Sequence, residues 1–318
     1  MTVLWILLGV AAFVAAASLV TAFVCFYRIF YSPRRPEEEA YPIPEGEIYE
    51  PYREQMVGYI KAAEALPHRD LAVRSFDGLT LRGKYYEHKK GAPIEIMFHG
   101  YRGSARRDMS GGIHRSFLVG HNALVVDHRG SGESDGHIIT FGINESRDCL
   151  AWRDLVLREI DPDAKIILTG ISMGAATVMI AAADEHPDNV VGVLADCGYT
   201  SARAIIKKVI WDMRLPADLL YPFARLGARL FGGFDPDERA PIDSMKKSRL
   251  PVIFFHGDTD DFVPFEMSVE NYEACVAEKR LVKIGGAGHG LCFVGDPEAY
   301  VAALHEFFDP LTGPTDLQ

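Results

Sequence analysis

Lys165-Ile-Ile-Leu-Thr-Gly-Ile-Ser-Met-Gly174, followed by Ala175-Ala-Thr-Val-Met-Ile-Ala-Ala-Ala183, is the stretch of this chain that decides its fold. The β-branched run before Gly170 is typical of a buried strand, and the small apolar residues after Gly174 are typical of a buried helix. A serine in a G-x-S-x-G turn between strand and helix exposes its hydroxyl at the sheet edge, because the flanking glycines allow a close approach. We therefore predict that Ser172 is a nucleophile at the beginning of a helix.

The G-x-S-x-G pattern occurs a second time, at Gly132-Glu-Ser-Asp-Gly136. This copy lies in the polar, glycine-rich segment 127–136, which no predicted strand enters and no predicted helix leaves. We interpret Ser134 as a loop residue, not as a nucleophile.

Strand-like and helix-like patterns alternate along most of the chain. The candidate strands are 71–76, 79–86, 93–98, 123–127, 165–169, 190–196, 251–255 and 280–284, and the candidate helices are 48–65, 105–119, 144–159, 173–186, 266–278 and 297–308. Asp77-Gly78 predicts a hairpin between the first two strands. The alternation predicts an α/β fold with a mostly parallel, eight-stranded sheet and helices on both faces.

One connection is too long for a simple crossover. About fifty residues separate the strands at 190–196 and 251–255, and residues 211–231 among them are rich in apolar and aromatic side chains. We predict a small helical cap at about 201–248, over the site. An extra core helix followed by a long loop is the alternative.

A serine hydroxyl is a weak nucleophile unless a base takes its proton and a third group orients that base. In this architecture an acid and then a histidine follow the serine, each after a later strand. The seventh candidate strand leads into a loop with three acids, and the eighth leads into His289, which glycines flank. We predict His289 as the base and favour Asp260 as the acid over Asp258 and Asp261, since Asp258 suits the turn.

Two backbone N–H groups are needed to bind the oxyanion of a tetrahedral intermediate. The amide of Met173 follows the nucleophile directly. The second donor is expected in the loop 99–104, where Gly100 frees the backbone to present the amide of Tyr101. Taken alone, this loop fits an ordinary β–α turn nearly as well.

Charge and cysteine content exclude several functions. The formal net charge is −11 and no basic stripe occurs, so we expect no nucleic-acid partner. The five cysteines show no metal-type spacing, and no phosphate-binding loop is present. We therefore expect neither a metal nor a cofactor.

The N-terminal segment is apolar. No charged residue occurs between Val3 and Tyr27, and the run 4–26 is long enough to cross a bilayer. A cleaved signal peptide is the alternative, but the basic segment that normally precedes one is missing, and the apolar run continues past the small-residue site at 15–18. We expect residues 1–31 to form a transmembrane anchor.

Arginines follow this segment, at Arg28, Arg34 and Arg35, and only the α-amine precedes it. The positive-inside rule therefore predicts a single-pass protein of the cell membrane whose C-terminal part lies in the cytoplasm. The proline-rich residues 32–47 predict an extended linker between the anchor and a domain at 48–311, and 312–318 form a tail.

From about residue 70 to 308 the chain resembles the α/β-hydrolase superfamily of serine hydrolases. The matching blocks are His99-Gly100, Asp127-His-Arg-Gly-Ser-Gly-Glu-Ser134, Gly170-Ile-Ser-Met-Gly174, His256-Gly-x-x-Asp260-x-x-Val-Pro264 and Gly288-His-Gly290. The family pattern places the acid at the aspartate of H-G-x-x-D, which supports Asp260. The likeness is greatest to membrane-anchored esterases and lipases and to prolyl-aminopeptidase-like serine peptidases.

The resemblance implies hydrolysis of an ester, thioester or lysolipid without a metal or cofactor. We expect a carboxylic ester with a hydrophobic acyl group, such as a lysophospholipid or monoacylglycerol from the bilayer. A peptidase acting on short peptides is a second hypothesis, because acidic residues of the cap region could bind a free amino terminus. These acids are Asp212, Asp218, Asp235 and Asp237. A membrane-tethered binding protein without activity is a third. The oligomeric state stays open.

Overall fold

The computed structural model describes residues 1–33 and 40–313. These residues form one eight-stranded sheet with the strand order β1-β2-β4-β3-β5-β6-β7-β8. The strands are β1 (Arg69–Arg74), β2 (Thr80–Tyr86), β3 (Ile94–Phe98), β4 (Asn122–Val126), β5 (Ile166–Ile171), β6 (Val190–Asp196), β7 (Val252–Gly257) and β8 (Lys279–Ile284). All eight predicted strands are confirmed, with ends shifted by no more than two residues.

Strand direction places the functional loops at one edge of the sheet. β2 is antiparallel to both of its neighbours, and the six strands from β3 to β8 run parallel to one another. The predicted Asp77-Gly78 hairpin joins β1 to β2, with Gly78 at φ +88°. The carboxyl ends of β3, β5, β7 and β8 therefore meet at the same edge, where ligands bind in open α/β sheets.

The described residues also form eleven α-helices. They are α1 (Thr2–Ile29), α2 (Arg53–Ala65), α3 (Ala105–Leu118), α4 (Ile143–Leu155), α5 (Met173–Ala181), α6 (Ala202–Asp212), α7 (Ala217–Gly227), α8 (Pro241–Met245), α9 (Phe265–Ala274), α10 (Cys292–Gly295) and α11 (Pro297–Thr312). A 3₁₀ turn at Glu47–Tyr52 precedes α2, and π-helical turns at Val156–Ile160 and Ala228–Gly232 extend α4 and α7.

The helix predicted at 173–186 is shorter in the structure and ends at Ala181. The His186 ring nitrogen Nε2 lies 2.9 Å from the carbonyl oxygen of Ala181, so this side chain binds a carbonyl at the helix end. Pro187 follows, and proline disfavours helical backbone in the residue before it.

The core lies on both faces of the sheet and contains a buried ionic cluster around Glu95. Glu95 on β3 binds Arg115 at 2.5 Å, His121 at 3.0 Å and Thr169 at 2.9 Å. Burial opposes ionisation of Glu95, but the charge of Arg115 and the hydrogen bond with His121 outweigh it and lower the pKa of the carboxyl to about 2. The cluster therefore joins β3 and β5 to α3 through the Glu95 carboxylate, whose burial would be unfavourable without these partners.

The segment at 201–248 divides into two parts. α6 and α7 pack on each other and share an apolar cluster with Met173 at the beginning of α5. α8 packs instead on α5 and α9, and its Met245 belongs to the main core beneath the sheet. The helices that form the cap are thus α6 and α7 with the π-helical turn after them.

α1 is long and apolar enough to cross a membrane, and its C-terminal part packs on the cap. A Cβ on Gly227 of α7 would lie 2.2 Å from the carbonyl oxygen of Ala22, so this glycine permits the close approach. Phe30 is completely buried, with its ring 5.6 Å from that of Phe141 and 5.3 Å from that of Phe234.

The residues that directly follow α1 remain in contact with the rest of the domain. The Ser32 amide donates to the His137 carbonyl at 2.7 Å, and Tyr31 forms an antiparallel bridge with Ile138. Residues 34–39 of the predicted linker, with Arg34 and Arg35, and residues 314–318 of the predicted tail lie outside the described residues.

Candidate active site

Ser172 occupies a strained turn between β5 and α5. Its backbone has φ 55° and ψ −114°, a conformation that non-glycine residues rarely adopt. A Cβ on Gly174 would lie 1.9 Å from the Phe98 carbonyl oxygen, and one on Gly170 would lie 2.1 Å from the Gly174 backbone. Only glycine fits at these two positions, which explains the pattern of the turn and why the serine projects from the strand end.

The side chains of Ser172, His289 and Asp260 form a continuous hydrogen-bonded row. His289 Nε2 lies 2.9 Å from Ser172 Oγ, and His289 Nδ1 lies 2.7 Å from Asp260 Oδ2. The Asp260 side chain is fully buried, and that of His289 is 13% exposed. The imidazole can therefore accept the serine proton at Nε2 while its Nδ1–H stays bound to the carboxylate.

The carboxylate of Asp260 is held by four donors. Its Oδ1 accepts the amides of Phe262 at 3.0 Å and Val263 at 2.8 Å. Its Oδ2 lies 3.1 Å from His256 Nε2, in addition to His289. Burial opposes ionisation, but hydrogen bonds from His256 and His289 outweigh it and hold the pKa of Asp260 well below its usual range. The group is therefore a carboxylate that fixes the orientation of His289.

The neighbouring acids occupy other positions. Asp258 Oδ1 accepts the Gly286 amide at 2.7 Å, so it closes the turn between two loops as predicted. The backbone carbonyl of Asp261 accepts a hydrogen bond from Lys208 of α6. Among the three candidate acids, Asp260 is the one that the structure places against the histidine.

Ser134, from the second G-x-S-x-G copy, is buried within its loop, as predicted. Its Oγ donates to the Asp127 carbonyl at 2.7 Å and accepts the Arg82 amide at 2.8 Å. Both bonds are structural, and they tie the loop after β4 to β2.

The loop after β3 lies against the nucleophile. A Cβ on Gly100 would lie 3.7 Å from Ser172 Cβ, and Met173 occupies the first position of α5, where a helix amide has no intrahelical partner. His99 holds this loop: its Nδ1 lies 2.7 Å from the Gly100 carbonyl oxygen, and its Nε2 accepts the His128 amide at 3.0 Å. Burial lowers the pKa of His99, so the ring stays neutral and keeps this tautomer.

The same loop binds the end of α1. The Tyr101 hydroxyl donates to the Ile29 carbonyl at 2.6 Å, and Arg102 Nη2 donates to the carbonyls of Arg28 at 2.9 Å and Tyr31 at 3.0 Å. The carbonyls of Arg28 and Ile29, in the last turn of α1, have no intrahelical donors, so these bonds satisfy them. The C-terminal end of α1 and the loop that carries Tyr101 therefore form one unit.

Sequence reasoning missed three contributors to the site. His256 was noted only as part of a motif, yet its fully buried ring contacts Asp260 and also lies 2.6 Å from Ser268 Oγ through Nδ1. Phe262, 41% exposed, packs on His289 with ring centroids 5.0 Å apart. Arg102 binds α1. The H-G-x-x-D motif could have indicated His256, but nothing in the sequence indicated the contacts of Arg102.

One group of possible metal ligands occurs among residues 1–33 and 40–313: Cys197, Asp260 and His289, whose ligand atoms lie within 4.8 Å of one another. Two of these groups already bind each other. Burial raises the pKa of the Cys197 thiol well above its usual value, which disfavours the thiolate that binds metals. The arrangement suits acyl transfer by the serine better than metal binding.

The sequence model of the "Alpha/beta hydrolase family" matches residues 96–303. The chain belongs to the alpha/beta hydrolase family. YqkD of Bacillus subtilis is 27% identical over 205 residues, which cover 64% of this chain and 67% of that protein. Protein bem46 of Schizosaccharomyces pombe is 25% identical over 198 residues, which cover 61% of this chain and 60% of that protein.

Solved structures share the fold. The Pyrococcus furiosus esterase Pf2001 aligns with a TM-score of 0.64 and 22% identity over 86% of this chain and 98% of that chain. Est1E of Butyrivibrio proteoclasticus, with ferulic acid bound, aligns with a TM-score of 0.55 and 22% identity over 75% of this chain and 98% of that chain. Family and fold together support a hydrolase.

Proposed function

We propose that the protein is a serine hydrolase that cleaves carboxylic esters with a hydrophobic acyl group. The observation that carries this proposal is the hydrogen-bonded row from Ser172 Oγ through His289 to Asp260, with distances of 2.9 and 2.7 Å. A base in contact with a serine, and an acid in contact with the base, is the arrangement that acyl transfer requires.

In the first half-reaction Ser172 Oγ attacks the ester carbonyl carbon while its proton passes to His289 Nε2. The oxyanion that forms accepts hydrogen bonds from the amides of Met173 and Tyr101. When the intermediate collapses, the C–O bond to the alcohol breaks and the alcohol leaves with the proton from His289. Water, deprotonated by the same imidazole, then cleaves the acyl-enzyme and releases the acid.

The apolar surroundings of the nucleophile favour a hydrophobic acyl group. Met173 belongs to a buried apolar cluster that includes Phe141 and Tyr199 and continues through Phe30, just after α1, into α6 and α7. Each buried methylene of a substrate contributes about 0.8 kcal/mol of binding. A longer acyl chain that contacts this cluster is therefore favoured over an acetyl group.

Peptidase activity has less support, because the acids that could bind a free amino terminus already have cationic partners within the cap region. Asp212 pairs with Lys208, Asp218 with Lys207, Asp235 with Arg225 and Arg229, and Asp237 with Arg203 and Arg225. A substrate ammonium would compete with an internal cation at each of these positions.

We further propose that α1 is retained as a single-pass anchor of the cell membrane, with the hydrolase domain on the cytoplasmic side. The arginines that follow the apolar run support this orientation. The packing of Ala22 and Phe26 on the cap gives α1 a role in the folded domain beyond tethering.

The test is a panel of p-nitrophenyl esters from acetyl to palmitoyl, with the matching acyl thioesters and aminoacyl-naphthylamides, assayed on the full-length protein in detergent. We expect kcat/KM for octanoyl and longer esters to exceed that for acetyl by about tenfold or more. A preference for acetyl would refute the hydrophobic acyl assignment. Faster cleavage of the naphthylamides would favour the peptidase, and faster cleavage of the thioesters a thioesterase.

A further inference from the structure

Only the first part of α1 projects freely from the domain. Every residue from 2 to 17 is exposed, whereas Ala22 and Phe26 are buried against the cap. The apolar run 4–26 is the part of α1 that suits the hydrocarbon of a bilayer, and it includes Ala22, Phe23 and Phe26, which contact the cap. An α1 whose whole apolar run lies in the bilayer therefore carries part of its cap-binding face into the hydrocarbon.

The contacts between α1 and the cap fix how deep the cap lies. Gly227 packs on Ala22, and the Phe231 ring lies 5.2 Å from that of Phe23. Arg28, the first charged residue after the apolar run, comes six residues after Ala22, about 9 Å along the helix axis. The C-terminal end of α7 thus lies on the lipid side of the charged boundary of α1.

The surface of the cap is apolar at this depth. After α1, the described chain has twelve exposed large apolar side chains, and seven of them fall between residues 211 and 231. These seven form what we call the cap patch: Trp211, Met213, Leu215, Leu219, Leu226, Leu230 and Phe231. Such a concentration marks a surface that another apolar phase or molecule covers.

α7 has apolar side chains on two faces. Tyr221 and Ala224 are buried against the domain, whereas Leu219 and Leu226, seven residues apart, are 62% and 38% exposed. α7 also carries two charged side chains, Asp218 and Arg225, which pair with Lys207 and Asp235. Leu219 and Leu226 stay exposed in the described chain, and the C-terminal end of α7 packs beside Ala22 of α1.

Charged groups occur at both ends of the patch. Arg225 and Arg229 adjoin Leu226 and Leu230 in the chain, and both pair with Asp235. Asp212, Arg214 and Asp218 alternate with Trp211, Met213 and Leu215 in the connection between α6 and α7. This mixture suits the interface between headgroups and acyl chains, where tryptophan is enriched.

We propose that the cap patch is embedded in the bilayer leaflet that the C-terminal half of α1 traverses. α1 and α7 together then form a two-helix membrane contact beside the apolar cluster that contains Met173. The proposal rests on the proposed function for its substrate, a membrane lipid ester, but the position of the patch is testable without catalysis.

Tryptophan fluorescence provides the test, because the chain has three tryptophans. Trp5→Phe leaves Trp152, which is 1% exposed in the core, and Trp211, which is 73% exposed in the patch. The full-length variant is reconstituted into phosphatidylcholine vesicles with or without brominated acyl chains. We expect a blue-shifted Trp211 emission that brominated lipid quenches by more than half, and Trp5→Phe/Trp211→Phe supplies the background from Trp152.

A matched pair of reporters makes the test independent of Trp211. In the Trp5→Phe/Trp211→Phe background, Leu230→Trp places a reporter in the patch, and Val276→Trp places one before β8, at the opposite edge of the sheet. The native side chains at these positions are 56% and 67% exposed. We expect quenching at position 230 and none at 276.

Equal quenching at the two positions, or water-like emission at both, would overturn the proposal. A blue-shifted reporter at 230 that brominated lipid does not quench would also overturn it, since a protein partner or a second copy of the chain would then cover the patch. The measurement works equally in a Ser172→Ala background. An unquenched patch in an active enzyme therefore rejects this inference alone, and a quenched patch in an inactive protein rejects the proposed function alone.

Discussion

Asp260→Asn is the substitution whose effect follows most directly from the hydrogen bonds of the site. Asp260 accepts from two backbone amides through Oδ1 and faces His289 Nδ1 and His256 Nε2 through Oδ2. An asparagine has one acceptor oxygen and one NH₂ group, so it cannot accept on both sides. The backbone amides of Phe262 and Val263 are fixed donors and take the oxygen.

The NH₂ group of the asparagine then faces His289 Nδ1, which must become an acceptor. The imidazole proton moves to Nε2, where it points at Ser172 Oγ and prevents the ring from accepting the serine proton. Loss of the correct tautomer costs roughly 10⁴-fold in kcat in a triad of this type, which corresponds to about 5 kcal/mol of transition-state stabilisation. KM changes little, since Asp260 lies behind the histidine and does not contact the acyl group.

The assay is steady-state hydrolysis of p-nitrophenyl octanoate by the full-length protein, with thermal unfolding measured in parallel to confirm folding. Asp258→Asn and Asp261→Asn are matched controls in the same loop, and we expect both to keep kcat within about threefold of the parent. An Asp260→Asn protein that keeps more than a tenth of the parental kcat, or an Asp258→Asn protein equally impaired, would refute this reasoning.

Two further substitutions probe the supports of the site. Arg102→Ala removes the hydrogen bonds to the carbonyls of Arg28 and Tyr31. Because Arg102 is exposed, we expect kcat to fall only about threefold to tenfold, and KM and the unfolding midpoint to stay nearly unchanged. A parental kcat would show that α1 does not position the loop. Arg115→Met removes the guanidinium that binds Glu95 and leaves only His121 and Thr169 against this buried charge. Urea unfolding should show a loss of about 3–5 kcal/mol, partly recovered in Glu95→Gln/Arg115→Met. Since the pKa of Glu95 is about 2 in the folded protein and near 4.5 when unfolded, its ionisation contributes stability above pH 4.5 that disappears as the pH falls toward 2. Glu95→Gln should reduce the loss of unfolding free energy between pH 4.5 and 2. An unchanged loss over this range would contradict the contribution of Glu95.

The sheet and the order of the site residues were predictable because local patterns determine them. β6 begins and ends at the predicted residues, because a continuous apolar run between a turn and an aspartate defines both ends of the strand. Ser172 and His289 follow strands whose carboxyl ends must share one edge in a parallel sheet. Which of three nearby acids faces the histidine depends on the path of one loop, so residue spacing alone left Asp258, Asp260 and Asp261 open.

Contacts between distant segments were not predictable. The apolar run of α1 shows no periodic face, so the sequence does not reveal that Ala22 and Phe26 pack on the cap. The close approach depends on Gly227, about two hundred residues later in the chain. From the sequence, His256 is predicted only as a strand residue within the H-G-x-x-D motif. Its contact with Asp260 depends on how the loop between the two residues folds.

Covalent labelling by a fluorophosphonate probe tests the central claim, that His289 and Asp260 activate Ser172 for acyl transfer. The full-length protein should be labelled at Ser172, as located by peptide mass spectrometry, and Ser172→Ala should abolish the label. Ser134→Ala, at the serine of the second G-x-S-x-G copy, should keep it. Undiminished labelling of Ser172→Ala, or no labelling of a folded parental protein, would contradict the account.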